Sequence, residues 1–142
     1  MGTLQVGGTT LGVKNTVTNK VDLSNTGTLD NLPFYACRAW VNFDGTKDTS
    51  GAPSTANTNR LIRGSGNVAS VLRNGTGDYT VNFTTPMPDT DYADIITLSD
   101  VADNKQSVRK TEYSPSTTSR RFECFDGYGV QDNETVTFAV FR

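Results

Sequence analysis

The sequence contains no histidine. That removes the commonest general base and the commonest metal ligand, and with them a serine or cysteine triad of the usual kind. Cysteine is scarce: Cys37 and Cys124 are the only two, and they fit neither a CxxC nor a zinc spacing. They read as two half-buried strand thiols, and a disulfide between them depends on geometry that spacing does not give. No apolar stretch is long enough to suggest a membrane span, and the first residues lack the basic-then-apolar order of a signal peptide. Neither charge sign dominates. Thirteen Lys and Arg stand against 15 Asp and Glu, for a net charge of −2, which makes no electrostatic case for nucleic acid. No glycine loop of the phosphate-binding kind precedes a helix. The expectation is a chain that is not an enzyme, with no cofactor, no metal, no nucleic-acid partner and no membrane insertion.

What the chain does contain is glycine, threonine and asparagine, the residues of short strands and many turns. Hydrophobic residues make up only 35%, low for a compact monomer and suited to a thin β-domain that buries further surface against copies of itself. The chain divides near Leu32-Pro33. Residues 1–32 carry sparse aliphatics (Leu4, Val6, Leu11, Val13, Val17, Val21, Leu23) and no aromatic residue. Thr3 to Val6 suits a short strand. Lys14 to Leu23 is a strand or a weak helix, with threonine and valine favouring the extended form. A lone copy of this segment cannot bury its aliphatics, so it is either a tail or an extended arm that docks on other subunits or on a larger assembly.

From Phe34 onward the pattern is β. Cys37, Ala39, Val41 and Phe43 share one apolar face by strict alternation, with Arg38, Trp40 and Asn42 on the other. Trp40 then covers the outer side of the sheet or lies in a subunit interface. Residues 44–59 read as a long polar loop without a sizeable apolar anchor, and such loops serve a purpose or are disordered. Ile62 opens the next strand. Asn74-Gly-Thr-Gly77 is a hairpin signal between Val68–Arg73 and Tyr79–Phe83, and Pro86 and Pro88 end that strand. A strand from Tyr92 is expected to bury Ile95, Ile96 and Leu98. Further strands are expected near residues 108–113, near 122–125 and over 135–141, the last burying Val136, Phe138 and Val140. About seven or eight short antiparallel strands point to an all-β sandwich over residues 33–142.

Residues that could carry chemistry are few. Paired carboxylates are the only conceivable catalytic set, and Asp89, Asp91, Asp94, Asp100 and Asp103 read as solvated charges near turns. Asp44-Gly-Thr-Lys-Asp48 faintly resembles a calcium loop without its ordered oxygen ligands. Three Asn-x-Thr triplets begin at Asn74, Asn82 and Asn133. Arg120 and Arg121, with Arg109 and Lys110, form a basic run that reads as edge-strand charge.

Some of these segments also carry a resemblance. Arg38-Ala-Trp-Val-Asn-Phe43, Ile62-Arg-Gly-Ser-Gly-Asn-Val68, Asn74-Gly-Thr-Gly-Asp-Tyr-Thr-Val-Asn-Phe-Thr84, Pro86-Met-Pro-Asp-Thr-Asp-Tyr92 and the closing Val136 to Arg142 are involved. Together they resemble the small β-domains at the distal ends of tail-fibre and other virion proteins of tailed bacteriophages, especially marine phages and cyanophages. The resemblance covers roughly residues 34–142. It implies a virion-attached, trimeric fibre or fibre-tip protein, made in the bacterial cytoplasm, with no catalytic residues to transfer. Residues 47–59 look like an insertion relative to that pattern. An insertion in an exposed loop is where host contact is tuned, so Lys47, Asp48, Thr49, Ser50, Asn57 and Asn59 are the expected host-contact residues. The arm of residues 1–32 is then expected to hold tail or capsid proteins, and Trp40 to meet another copy in a homotrimer. The competing expectation is a capsid- or tail-decorating protein without a receptor. A polysaccharide depolymerase is the enzymatic reading, and a host glycan or protein is the partner implied by the first.

Overall fold

The computed structural model describes residues 3–6, 9–14, 21–22, 36–99, 108–110, 113–126 and 129–142. The chain divides into two compact units, Met1–Phe34 and Tyr35–Arg142. The first holds three short strands, β1 (Thr3–Val6), β2 (Thr9–Lys14) and β3 (Val21–Asp22), in an antiparallel sheet of that order. The pairing slips by one residue between Leu4 and Gln5. The segment expected to be an extended arm therefore pairs with itself. Of its aliphatics, Leu4, Val6, Leu11, Val13 and Val21 lie in these strands, whereas Val17 and Leu23 lie outside the described residues.

The second unit is an antiparallel β-sandwich. Its strands are β4 (Cys37–Asp48), β5 (Arg60–Gly66), β6 (Val68–Gly75), β7 (Asp78–Phe83), β8 (Ala93–Ser99), β9 (Val108–Lys110), β10 (Ser119–Asp126), β11 (Gly129–Val130) and β12 (Thr135–Phe141). One sheet has the order β5-β4-β12-β8. The other runs β11-β10-β7-β6, with β9 also paired to β10. No helix occurs among the described residues, so none is long and apolar enough to cross a membrane.

Alternation builds the core. Ala39, Val41 and Phe43 of β4 and Val136, Phe138 and Val140 of β12 face Val71, Tyr79, Val81, Phe83, Phe122 and Cys124 of the other sheet, all buried. Rings cross the gap: Phe122 stacks on Phe138 at 5.7 Å, and Phe43 meets Tyr79 edge-on at 5.0 Å. Such aromatic pairs add about 0.5–1.5 kcal/mol each beyond the area they bury.

One expectation is corrected, and two local details come from the pairing itself. Ile95 is 55% exposed rather than buried. Period two places Ile96 and Leu98 inward and therefore Ile95 outward, where it pairs with Ala139 of β12. The hairpin turn is Thr76-Gly77, and the positive φ of +65° falls on Gly77, not on Asn74. Asn74 stays in β6 and donates its amide to Asp78 and Thr80. Val68 and Val71 are both buried despite odd spacing, because a register slip between Val68 and Ser70 resets the face.

Candidate functional site

The segment after β4 was expected to be a long loop, but β4 itself continues to Asp48. Polar residues remain in a strand here because tertiary hydrogen bonds replace the apolar anchor the sequence lacks. Lys47 bridges to Pro53, and the Ser54 N–H donates to the Thr46 carbonyl at 2.9 Å. The tip is a tight turn: Gly51, at φ +85°, donates its N–H to the Asp48 carbonyl at 2.9 Å. Asp48 Oδ1 accepts from the Ser50 N–H (2.9 Å) and hydroxyl (2.5 Å). The hydroxyl and backbone bonds from Ser50 hold the Asp48 carboxyl below its ordinary value.

Residues 54–58 are anchored by two buried guanidinium groups. Arg60, 1% exposed, donates to the carbonyls of Ser54 (2.8 Å), Thr58 (3.2 Å) and Ala56. Arg73, 4% exposed, donates to the Thr55 carbonyl and to Asn57 Oδ1, both at 2.7 Å. The same Arg73 group forks onto Asp132 at 2.8–3.1 Å. Asp132 also accepts the Tyr79 hydroxyl at 2.5 Å and the Gly77 N–H at 2.9 Å. Burial alone would raise the Asp132 pKa, but the bonds from Arg73, Tyr79 and Gly77 outweigh it and hold it below its usual value.

Of the expected host-contact residues, Thr49, Ser50, Asn57 and Asn59 are exposed, and Lys47 and Asp48 are half-buried. Lys47 lies 3.3 Å from the Asp44 carboxylate. Asn57 is tied to Arg73, so its free surface is one edge of its amide. The structure brings Thr49 and Asn59 together at the rim of a cleft of about 280 Å³ between β5 and β6.

Asp44, read as the start of a faint calcium loop, is fully buried. It is committed to the Thr46 hydroxyl at 2.6 Å and to Arg63 at 2.7 Å. Among the described residues no cluster of acidic or thiol side chains could hold a metal ion. Asp94 is not a solvated charge either. Its carboxylate pairs with Arg120 at 2.8 Å, and both side chains are nearly buried. Asp100 and Asp103 lie outside the described residues. In the basic run, Arg121 is neutralised by Asp78 at 2.5 Å and stacks 4.1 Å over the Tyr113 ring. Of the Asn-x-Thr triplets, Asn82 donates to Ser70 at 3.0 Å, and Asn133 is 1% exposed with no hydrogen-bond partner for its side-chain amide among the described residues.

Trp40 lies on the outer face of the β5-β4-β12-β8 sheet. The register aligns Gly66, Trp40, Ala139 and Ile95 in one row across the four strands. The indole covers Gly66 so closely that an added Cβ would lie 2.5 Å from Nε1. Trp40 nevertheless remains 44% exposed. Outward positions on β8 are Ala93, Ile95, Thr97 and Ser99, and on β12 they are Thr135, Thr137, Ala139 and Phe141, so neither strand presents a charge on this face.

The residues that sequence reading missed are Arg60, Arg73, Asp132 and Tyr79. A signal for Arg73 was present. It shares a face with Val71, and a cation on an apolar face marks a buried pair. No family model, curated protein or solved structure matches this chain.

Proposed function

We infer that this chain is a non-enzymatic structural protein of a tailed-phage virion, a short fibre or fibre tip. Copies assemble as a homotrimer through the outer face of the β5-β4-β12-β8 sheet. The unit at residues 1–32 holds tail or capsid proteins, and the turn at Thr49–Ser50 faces the host surface. The observation that carries this reading is the row of Trp40 and Ile95, both exposed, on an outer face to which β8 and β12 contribute no charge and which Arg63 reaches only at Thr135. Interface centres are depleted in charge and enriched in aromatic residues, whereas a sheet face meant for water carries polar and charged residues, as Arg121, Asp78 and Glu123 do on the opposite sheet. The motif resemblance supplies the virion setting.

A second reading, a decorating protein without a receptor, is favoured by the way Asp48, Ser50 and Asn57 spend their polar groups on one another and on Arg73. Immunogold labelling of virions with antibody to the chain tests the location: label on tail or capsid is expected, and unlabelled particles overturn both readings. Adsorption competition by purified protein then separates them. Substitution at Thr49 and Ser50 suits this better than deleting residues 46–59, because deletion would strip Arg60 and Arg73 of their acceptors.

A further inference from the structure

Asn133 lies two residues before β12 and is 1% exposed, yet neither its Oδ1 nor its Nδ2 has a hydrogen-bond partner among the described residues. Turning the amide over changes nothing, because both of its ends are orphaned. Buried polar groups are almost always satisfied, and one left unpaired bears its full desolvation cost.

A second under-used group belongs to the residue bonded to it. β4 leaves its ladder with β5 between Asp44 and Asp48, and its ladder with β12 ends at Phe43. Gly45 therefore has no ladder partner. Its N–H donates to the Asn133 carbonyl at 2.9 Å. Its own carbonyl receives only the Tyr79 hydroxyl, at a long 3.4 Å, because that hydroxyl is committed to Asp132 at 2.5 Å. No side chain can fill the place from Gly45: a Cβ there would collide with the Tyr79 hydroxyl and lie 2.8 Å from the Asn133 carbonyl oxygen.

Charge on both sides is already balanced. Asp44 pairs with Arg63 at 2.7 Å and with Lys47 at 3.3 Å, and Asp132 pairs with Arg73 at 2.8 Å. An added ion of either sign would be desolvated without a free counter-charge. What satisfies the amide must be neutral, small enough for a buried place, and able to donate and accept at once.

We propose that Asn133 holds one internal water molecule. The water accepts from Nδ2, donates to Oδ1 and gives its second proton to the Gly45 carbonyl, three bonds being the usual number for a buried water. It fixes Asn133 and with it the adjacent Asp132, which grips Arg73 and through Arg73 the Thr55 carbonyl and Asn57. The inference does not rest on the virion reading.

The test uses the full 142-residue chain, labelled with ¹⁵N. The Asn133 side-chain NH₂ should show cross-peaks to the water resonance of opposite sign in laboratory-frame and rotating-frame Overhauser spectra, the signature of a held water rather than of proton exchange. Asn133→Leu keeps the shape of the side chain and removes both polar ends. In water-¹⁷O relaxation dispersion, which counts long-held waters, this variant should show one fewer than the wild type, and its urea midpoint should fall because the Gly45 carbonyl loses its donor. Absent cross-peaks in the wild type overturn the proposal, as does an unchanged water count in the folded variant. A raised midpoint overturns it too, since an apolar isostere stabilises only where it replaces a dry, unpaired amide. Should the variant not fold, the wild-type cross-peaks decide.

Discussion

Arg73 forks onto Asp132, with Nε at 3.0 Å and Nη2 at 2.8 Å from Oδ2, while its free arm holds Thr55 and Asn57 at 2.7 Å. One buried side chain thus ties the β6–β7 hairpin, the approach to β12 and the segment before β5 together. Asp132→Ala removes the carboxylate that the buried Arg73 cation and Tyr79 hydroxyl share, leaving them only neutral acceptors. Breaking a buried pair from one side costs about 3–5 kcal/mol, and the urea midpoint should fall accordingly. Hydrogen exchange at residues 55–58 should accelerate with it. Arg142→Ala, which breaks the exposed pair with Asp89, should leave the midpoint within error. Equal losses for the two variants would contradict the assigned role.

Stability should fall at both pH extremes for separate reasons. Burial would raise the carboxyls of Asp44 and Asp132, but hydrogen bonds from Thr46 and from Arg73 and Tyr79 outweigh it and hold both below the ordinary 3.8. A depressed folded value contributes stability that is complete above the unfolded pKa and lost as pH falls through the folded one. The acid limb of a melting-temperature profile should therefore lie below about pH 4. At the other end, burial pushes the Cys124 thiol from 9.0 up to about 12. That contribution is complete below pH 9 and is lost as pH rises toward the folded value. Cys124→Ala should move the alkaline onset from about pH 9 to about pH 10, where the Tyr79 phenol, also raised by burial, begins to matter. An unmoved onset would assign the alkaline limb elsewhere.

Thiol reactivity should split cleanly. Cys37 is exposed and Cys124 is buried, and both are free. Ellman's reagent should modify one thiol rapidly in the native protein and the second only in denaturant. Two fast thiols, or none, would contradict these placements.

Gly66 and Gly64 should respond differently to alanine. A Cβ on Gly66 would meet Trp40 Nε1 at 2.5 Å, whereas one on Gly64 would meet Trp40 at an ordinary 3.4 Å. Gly66→Ala should cost about 1–3 kcal/mol as an overpacking change and shift the emission of the single tryptophan, and Gly64→Ala should do neither. In a Trp40→Ala background the Gly66→Ala cost should shrink, giving a coupling of about 0.5–3 kcal/mol in a thermal double-mutant cycle. Strict additivity would place the strain elsewhere.

Ile95→Lys combined with Thr97→Lys should dissociate the proposed homotrimer without unfolding it, because both side chains point outward on β8. Light scattering coupled to gel filtration reads the outcome. A wild-type chain that is monomeric at micromolar concentration would remove the assembly from the proposed function.

Much of the sandwich was legible because period two is local. The apolar faces of β4, β7 and β12 and the position of the β6–β7 hairpin follow from alternation and turn residues alone. Ile95 was not, since three aliphatics in a row of four leave the parity open until β12 pairs with β8. The register slip at Val68–Ser70 was hidden for the same reason: an inserted residue shows only against a partner strand. Residues 47–59 were marked by their polarity, but polarity could not tell a solvated loop from one held on buried arginines.

The sequence by itself determined an all-β chain without histidine chemistry and the alternating faces that form the core. These rest on residue type and on spacing along the chain. The tertiary structure decided which polar residues are buried together, that Arg60 and Arg73 replace an apolar anchor, and that Trp40 and Ile95 share one outer row. The physical reason is distance along the chain. Arg73 and Asp132, or Trp40 and Ala139, become neighbours only through strand register, and no local pattern encodes which carboxylate a distant guanidinium will meet.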